Sequence, residues 1–297
     1  MFSTFPHVPL SRRWATACIV VSLLSVTAPA PLSAQEQRPR PNLRLLFIGN
    51  SYTFTNNLGD VVAGIAESQK DGPTVTPTMA ARAGTHLEWH LKNGPAMSLL
   101  QAGGWDYVIL QEFSTLGGPI GKPEVGDPEP FYDSVRQFVP KILAAGAKPV
   151  LLMTWARRGA PEPEAKKIFD AYEHIGRELG VKVAPAGLAW AETRRRLRTL
   201  DLHIYDASHP TEAGSYLTAL VIYATLTGRN PRGAPAVIFG HPVDTGGITA
   251  VPDTTLTVPL VELGPATAAE LQRVAWDTVS HQTAGSFAPD GSPSLSQ

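Results

Sequence analysis

The chain has 297 residues, a formal charge of −1 and a single cysteine, Cys18. One cysteine excludes intramolecular disulfides and thiolate metal clusters, and its place near the N-terminus leaves residues 35–297 without a thiol nucleophile. Charges of the two signs are interspersed rather than blocked, which speaks against nucleic acid or an anionic membrane surface as partner.

The first 34 residues carry Arg12 and Arg13, an apolar stretch from Trp14 to Val26, and small residues up to Ala34. That order predicts a secretory signal peptide, cleaved after Leu32-Ser33-Ala34, and hence a periplasmic or secreted protein with no stable membrane insertion after cleavage. An uncleaved anchor is the other reading of the same stretch. Cys18 lies inside the apolar stretch rather than after it, unlike a lipoprotein cysteine. Residues 35–42, polar with two prolines, read as a linker. Residues 43–280 read as one domain, long enough for a sizeable core. Residues 281–297 read as a disordered tail.

Within the domain, strand-like and helix-like segments alternate. The apolar run Leu43–Ile48 predicts a buried strand, ended by Gly49-Asn50-Ser51, with a helix over about Asn57–Gln69. A second strand is expected over Thr74–Ala81, then short helices around Leu87–Leu91 and Ala96–Ala102, then a third strand over Tyr107–Gln111. A Gly/Pro-rich segment, Gly117–Pro130, leads into a helix from Phe131 to Ala145 that stops at Gly146. Lys148–Thr154 predicts the fourth strand, Pro163–Leu179 a helix stopped by Gly180, and Val181–Pro185 the fifth strand. Helices follow near Leu188–Arg198 and over Thr211–Leu226, the latter started by Pro210-Thr211 and ended by Gly228. Residues 229–262 are rich in Pro, Gly and Thr and show no periodicity; a helix returns at Ala266–Val279. The alternation predicts a three-layer α/β/α domain around a mainly parallel five-stranded sheet.

Four positions carry candidate chemistry. Ser51 ends the first strand, where open α/β sheets place their ligands, and reads either as a nucleophile or as a helix cap. In Asp206-x-x-His209, a turn of that length lets the carboxylate hold one imidazole nitrogen and leaves the other free as a base. An Asp-initiated surface turn has the same pattern. Gly84, after the second strand, allows a close backbone approach to a ligand or serves an ordinary turn. Gln111 ends the third strand, where its amide either donates to an oxyanion or pairs locally. His86 and His90 are four apart and offer a metal chelate only if a third ligand joins them. Trp89 and Trp155 suit a sugar-binding floor or the core, and the core is the simpler reading. Gly-x-Ser-x-Gly, phosphate-loop and dinucleotide motifs do not occur in residues 35–297.

Taken in order, these blocks resemble the SGNH (GDSL-like) hydrolases, a superfamily of esterases and lipases. Gly49-Asn50-Ser51 looks like the nucleophile block with Asn in place of Asp, Gly84 falls at the oxyanion glycine, and Asp206-x-x-His209 looks like the terminal block. The resemblance covers about residues 43–227. It implies a flavodoxin-like strand order 2-1-3-4-5, a triad of Ser51, His209 and Asp206, and an oxyanion hole from Ser51, Gly84 and an amide after the third strand. The chain departs at that last block, with Leu110-Gln111-Glu112 where Gly-x-Asn-Asp is usual. The sequence is similar there to a branch with Gln-Glu that includes carbohydrate esterases, which puts Gln111 in the donor's place. Strand alternation turns Glu112 away from Gln111, toward a partner such as Arg82 or Arg157. The expectation is an exported, cofactor-independent serine esterase acting on a small-molecule or carbohydrate ester, with short acyl groups such as acetyl. A non-catalytic carbohydrate-binding or scaffold protein on the same fold is the alternative, and a metal-dependent hydrolase using His86 and His90 a third.

Overall fold

A computed structural model describes residues 1–3, 40–119, 121–244 and 250–285. Residues 4–34 of the expected signal peptide, most of the expected linker, and the residues beyond Gly285 lie outside the described residues. The contacts divide the chain after Arg38, and the part that follows is the one described here.

Five strands make one parallel sheet: β1 Asn42–Gly49, β2 Thr74–Ala81, β3 Tyr107–Leu110, β4 Lys148–Leu152 and β5 Lys182–Ala184. Their order is β2-β1-β3-β4-β5, the expected one. The register pairs Gly49 with Ala81, Ile48 with Leu110, and Leu110 with Leu151, so the carboxyl ends stand level. Residues that follow these strands, Asn50-Ser51, Arg82 to Gly84, Gln111 onward and Met153 onward, therefore share one edge of the sheet.

Alternation along the strands feeds two cores. Leu45, Phe47, Ile109, Val150 and Leu152 face one side, and Leu46, Ile48, Val108, Leu110 and Leu151 the other. On the first side lie α2 Leu58–Ser68, α7 Ala186–Arg196, α8 Glu212–Thr227 and α9 Pro265–Gly285. On the second lie α3 Leu87–Lys92, α4 Ala96–Ala102, α5 Glu129–Ala144 and α6 Glu162–Leu179. Helix α8 is buried on all sides, as its apolar sequence requires, because α2, α7 and α9 surround it.

The stretch without periodicity, 229–262, holds two small antiparallel pairs. Strand β6 Val237–Gly240 pairs with β9 Val258–Glu262, and β7 Val243–Asp244 with β8 Val251–Pro252. The β6–β9 pair packs on α2 and α8. Helix α9 runs to Gly285, past the domain boundary expected at residue 280. Among the described residues, no helix is long and apolar enough to cross a membrane.

Candidate active site

Ser51 opens a one-turn helix, α1 Ser51–Phe54, directly after β1. Asn50, not Ser51, is its cap: the Asn50 side chain accepts the Tyr52 N–H at 3.1 Å, and its carbonyl accepts the Thr53 N–H at 2.9 Å. This frees the Ser51 hydroxyl, which lies 2.8 Å from Nε2 of His209.

His209 comes from the turn before α8. Asp206 builds that turn with one carboxylate oxygen, which accepts the N–H groups of Ser208 at 2.9 Å and His209 at 3.0 Å. Its other oxygen accepts the proton on Nδ1 of His209. Ala207, inside the turn, sits in the left-handed region at φ 60°. Partial burial pushes the Asp206 carboxyl up, but the bonds from the His209 ring and from the two backbone N–H groups outweigh it and hold the pKa below the ordinary value. The carboxylate thereby selects the imidazole tautomer whose Nε2 lone pair faces Ser51. Sequence reasoning offered an Asp-initiated turn and a carboxylate–imidazole pair as alternatives; one carboxylate makes both sets of bonds.

The turn also rests on an aromatic stack. Tyr52, Trp155 and Trp190 lie face to face, with centroids 4.4 and 3.9 Å apart. The Tyr52 edge meets the His209 ring at 5.6 Å, its phenol bonds Ser208 Oγ at 2.8 Å, and Trp155 Nε1 donates to the Ser208 carbonyl at 3.0 Å. Trp155 is thus core, a floor under the histidine turn rather than under a sugar. Trp89 is half-buried beneath the Arg82 guanidinium, 4.6 Å from its ring.

On the β2 side, Gly84 has φ +67°, and a Cβ there would meet nothing within 4 Å, so the left-handed backbone, not crowding, calls for glycine. Among the described residues, the N–H groups of Ser51 and Gly84 donate to no protein acceptor. The loop carrying Gly84 is tied down closely. Asn50 Nδ2 donates to the Thr85 carbonyl at 3.0 Å, Thr85 Oγ1 to the Arg82 carbonyl at 2.8 Å, and the Arg82 N–H to the Gly49 carbonyl at 3.2 Å.

The third expected donor is not there. Gln111 is buried, and its Oε1 accepts the Asn50 N–H at 3.0 Å and the Thr53 hydroxyl at 2.8 Å. Those two donors fix the amide orientation, and Nε2 then donates to the Glu112 carbonyl. The side chain that was expected to meet an oxyanion instead latches the turn carrying Ser51 to the end of β3. Gly49 makes room for it, since a Cβ there would stand 2.6 Å from Gln111 Oε1 and 2.4 Å from Thr53 Oγ1.

Glu112 is likewise not paired with Arg82 or Arg157. Its buried carboxylate accepts the Leu87 N–H at 3.0 Å, the Phe113 N–H at 2.6 Å and His86 Nδ1 at 2.8 Å. The bond to Glu112 raises the His86 pKa, against the opposing effect of burial. His90 is buried, which lowers its pKa although Nε2 donates to the Gly49 carbonyl at 2.8 Å. The two histidines so engaged do not form a chelate, and no group of three His, Cys, Asp or Glu among the described residues is arranged to hold a metal. Beside this pair a cleft of about 260 Å³ opens between His86, Glu112, Leu116, Gly117 and Phe131.

No family model matches the chain, and no curated protein matches it in sequence. Solved structures do match. A DUF4886 family protein from Bacteroides uniformis, 19% identical, aligns over 81% of this chain and 96% of its own at a TM-score of 0.55. The acetyl xylan esterase AlAXEase, 12% identical, aligns over 61% and 98% at 0.50. A Slackia heliotrinireducens protein described as an SGNH hydrolase is 25% identical over 62% and 99%, at 0.49. What the first two share with this chain is the three-layer α/β/α fold.

Proposed function

We propose that the chain is an SGNH-type serine esterase and that Ser51 carries the acyl group during turnover. The observation that supports this most is the hydrogen-bonded chain from Asp206 through His209 to the Ser51 hydroxyl, beside two backbone N–H groups with no protein acceptor. In the first half-reaction Nε2 of His209 takes the Ser51 proton as Oγ bonds to the ester carbonyl carbon. The charge that develops on the carbonyl oxygen is met by the Ser51 and Gly84 N–H groups. The imidazolium, held by Asp206, passes its proton to the leaving alkoxy oxygen as the C–O bond breaks. In the second, His209 deprotonates a water that attacks the acyl-enzyme, and Ser51 leaves with its proton restored. These steps call on no cofactor.

The side chains of His209 and Asp206 are 32% and 31% exposed, open enough for a substrate to reach the reacting atoms. Acetylated sugars are the substrates to test first, because the Gln-Glu block resembles that of carbohydrate esterases. Export through residues 1–34 belongs to the same reading, and N-terminal sequencing of the mature protein, expected to begin at Gln35, checks it.

The decisive assay is hydrolysis of p-nitrophenyl acetate by wild type and Ser51→Ala, with labelling of Ser51 by a fluorophosphonate. Wild type should turn over and be labelled, and the variant should do neither. Because Asn50 is the cap, the variant should unfold within about 1 kcal/mol of wild type, the scale of a single surface-level change. Turnover surviving in Ser51→Ala would end the proposal, and a folded wild type that neither turns over nor is labelled would favour a non-catalytic protein on this fold.

A further inference from the structure

Two arginines follow β4, and they are held differently. Arg158 is used by its surroundings: its N–H donates to the Ala207 carbonyl at 2.9 Å, and Nη2 donates to the carbonyls of His203 and Ile204. Arg157 is half-buried, with no carboxylate among the described residues within ion-pairing distance. Among the described residues its guanidinium makes one hydrogen bond, a long one of 3.4 Å from Nη2 to Ser114 Oγ, and its Nε is buried with no acceptor. A buried donor left unpaired is costly, more so on a charged group, and native structures keep few of them without a reason. The nearby acids are committed elsewhere, Asp206 to its turn and His209, and Glu112 to His86 and two backbone N–H groups.

The position matters as much as the lack of a partner. Ser114 follows β3, Arg157 follows β4, and Ala207 belongs to the turn that presents His209. Burial raises the phenol pKa of Tyr52, the residue after Ser51, against the lowering effects of hydrogen bonds with Ser208 and Ser114 and, behind them, of the nearby Arg157 charge. Along the sheet edge the order is therefore Gly84 after β2, Ser51 after β1, Ser114 after β3 and Arg157 after β4. An ester whose carbonyl oxygen turns toward the Gly84 and Ser51 N–H groups sends a substituent the other way, toward Ser114 and Arg157.

We propose that Arg157, with the Ser114 hydroxyl, recognises a carboxylate on the substrate, so that the site selects acidic esters. This rests on the esterase reading above. One planar guanidinium beside one hydroxyl suits a monoanionic carboxylate, which accepts a two-pronged bond from arginine, better than a dianion that needs several charges. The carboxylate belongs either to the acyl part, as in a dicarboxylic hemiester, or to the alcohol part, as in an acetylated uronic acid.

Two pairs of esters separate these sources. The acyl arm compares p-nitrophenyl hydrogen glutarate with its methyl ester; the alcohol arm compares 4-acetoxybenzoate with methyl 4-acetoxybenzoate. In one arm wild type should favour the charged ester by roughly tenfold or more in kcat/KM at low salt, the scale of a charge-assisted pair. Arg157→Gln should bring that ratio to about one, Arg157→Lys should restore part of it, and added salt should shrink it. A wild-type ratio at or below one in both arms overturns the proposal, as does a ratio that Arg157→Gln leaves intact. If folded wild type hydrolyses none of the four esters nor p-nitrophenyl acetate, the esterase reading fails on its own. Calorimetry with galacturonate and glutarate then decides the anion site: binding lost in Arg157→Gln supports it, and no binding by wild type overturns it.

Discussion

Gln111 and Glu112 divide between them the holding of the two loops that meet at Ser51. Gln111 grips the nucleophile turn through Asn50 and Thr53, and Glu112 grips the Gly84 loop through Leu87 and His86. Gln111→Ala leaves the Asn50 N–H and the Thr53 hydroxyl without their acceptor in a buried place. The expected cost is about 1–3 kcal/mol per orphaned group, read as a lower urea midpoint, with kcat falling because Ser51 loses its position. An oxyanion donor would have shown the opposite pattern, a large loss of kcat at unchanged stability.

His203, off the reaction path, gives a pH signature. Burial pushes its pKa down from 6.5 to about 4, although Nε2 donates to the Ala156 carbonyl at 3.0 Å. The unfolded chain takes up the proton near 6.5 and the folded chain only near 4, so between those values the unfolded state holds more protons. Stability should be full above about pH 6.5, fall by roughly 3 kcal/mol as the pH drops through the window, and level off below it. Urea midpoints measured against pH in wild type and His203→Phe check this, since the variant should lack that part of the slope. At this scale the sequence was legible where the chemistry is local. Asp206-x-x-His209 encodes its own turn, although the helix cap, read at Ser51, falls one residue earlier on Asn50. It was illegible where a partner comes from far along the chain, because alternation fixes the face Gln111 takes but not that Asn50 and Thr53 wait there.

The strands that carry these residues work by ending together. Ile48 and Leu46 on one side of β1, and Phe47 and Leu45 on the other, are fully or almost fully buried, so the strand is clamped between two layers and cannot slip by a residue without exposing both. Ile48→Ala, beside the nucleophile turn, should cost about 2–5 kcal/mol as a cavity in a packed core, measurable by urea denaturation, and should weaken activity through β1 rather than through the reacting atoms. The five strands and most of the helices were readable from apolar runs and from Gly and Pro stops. The pairs β6–β9 and β7–β8 were not: two- to five-residue strands interrupted by Pro and Gly give no period-2 signal, and pairing partners lie as far apart as Val237 and Glu262.

Every candidate site residue precedes Gly228, and so does the whole five-stranded sheet, which taken alone would make residues 229–285 dispensable. The packing says otherwise. Helix α8 follows His209 directly and is apolar on all sides, and its outward face is covered by α9 and β9. Gln272 on α9 reaches into that contact, donating to the Tyr216 hydroxyl and the Ala234 carbonyl at 2.8 Å each and accepting the Gly233 N–H at 2.8 Å. The Glu212 carboxylate, at the start of α8, accepts the Glu262 N–H of β9 at 2.7 Å. A chain ended at Gly228 would strip the α9 and β9 cover from an apolar helix, at Tyr216 among other places, and leave several polar groups without partners. It should be insoluble, or soluble without a cooperative thermal transition, and inactive on p-nitrophenyl acetate. A chain ended at Gly285 should unfold in one step and keep the activity of the full-length protein. Equal solubility and activity from the shorter chain would mean that α8 needs no outer cover. His209 would then be held by the Asp206 turn and the Tyr52–Trp155–Trp190 stack alone.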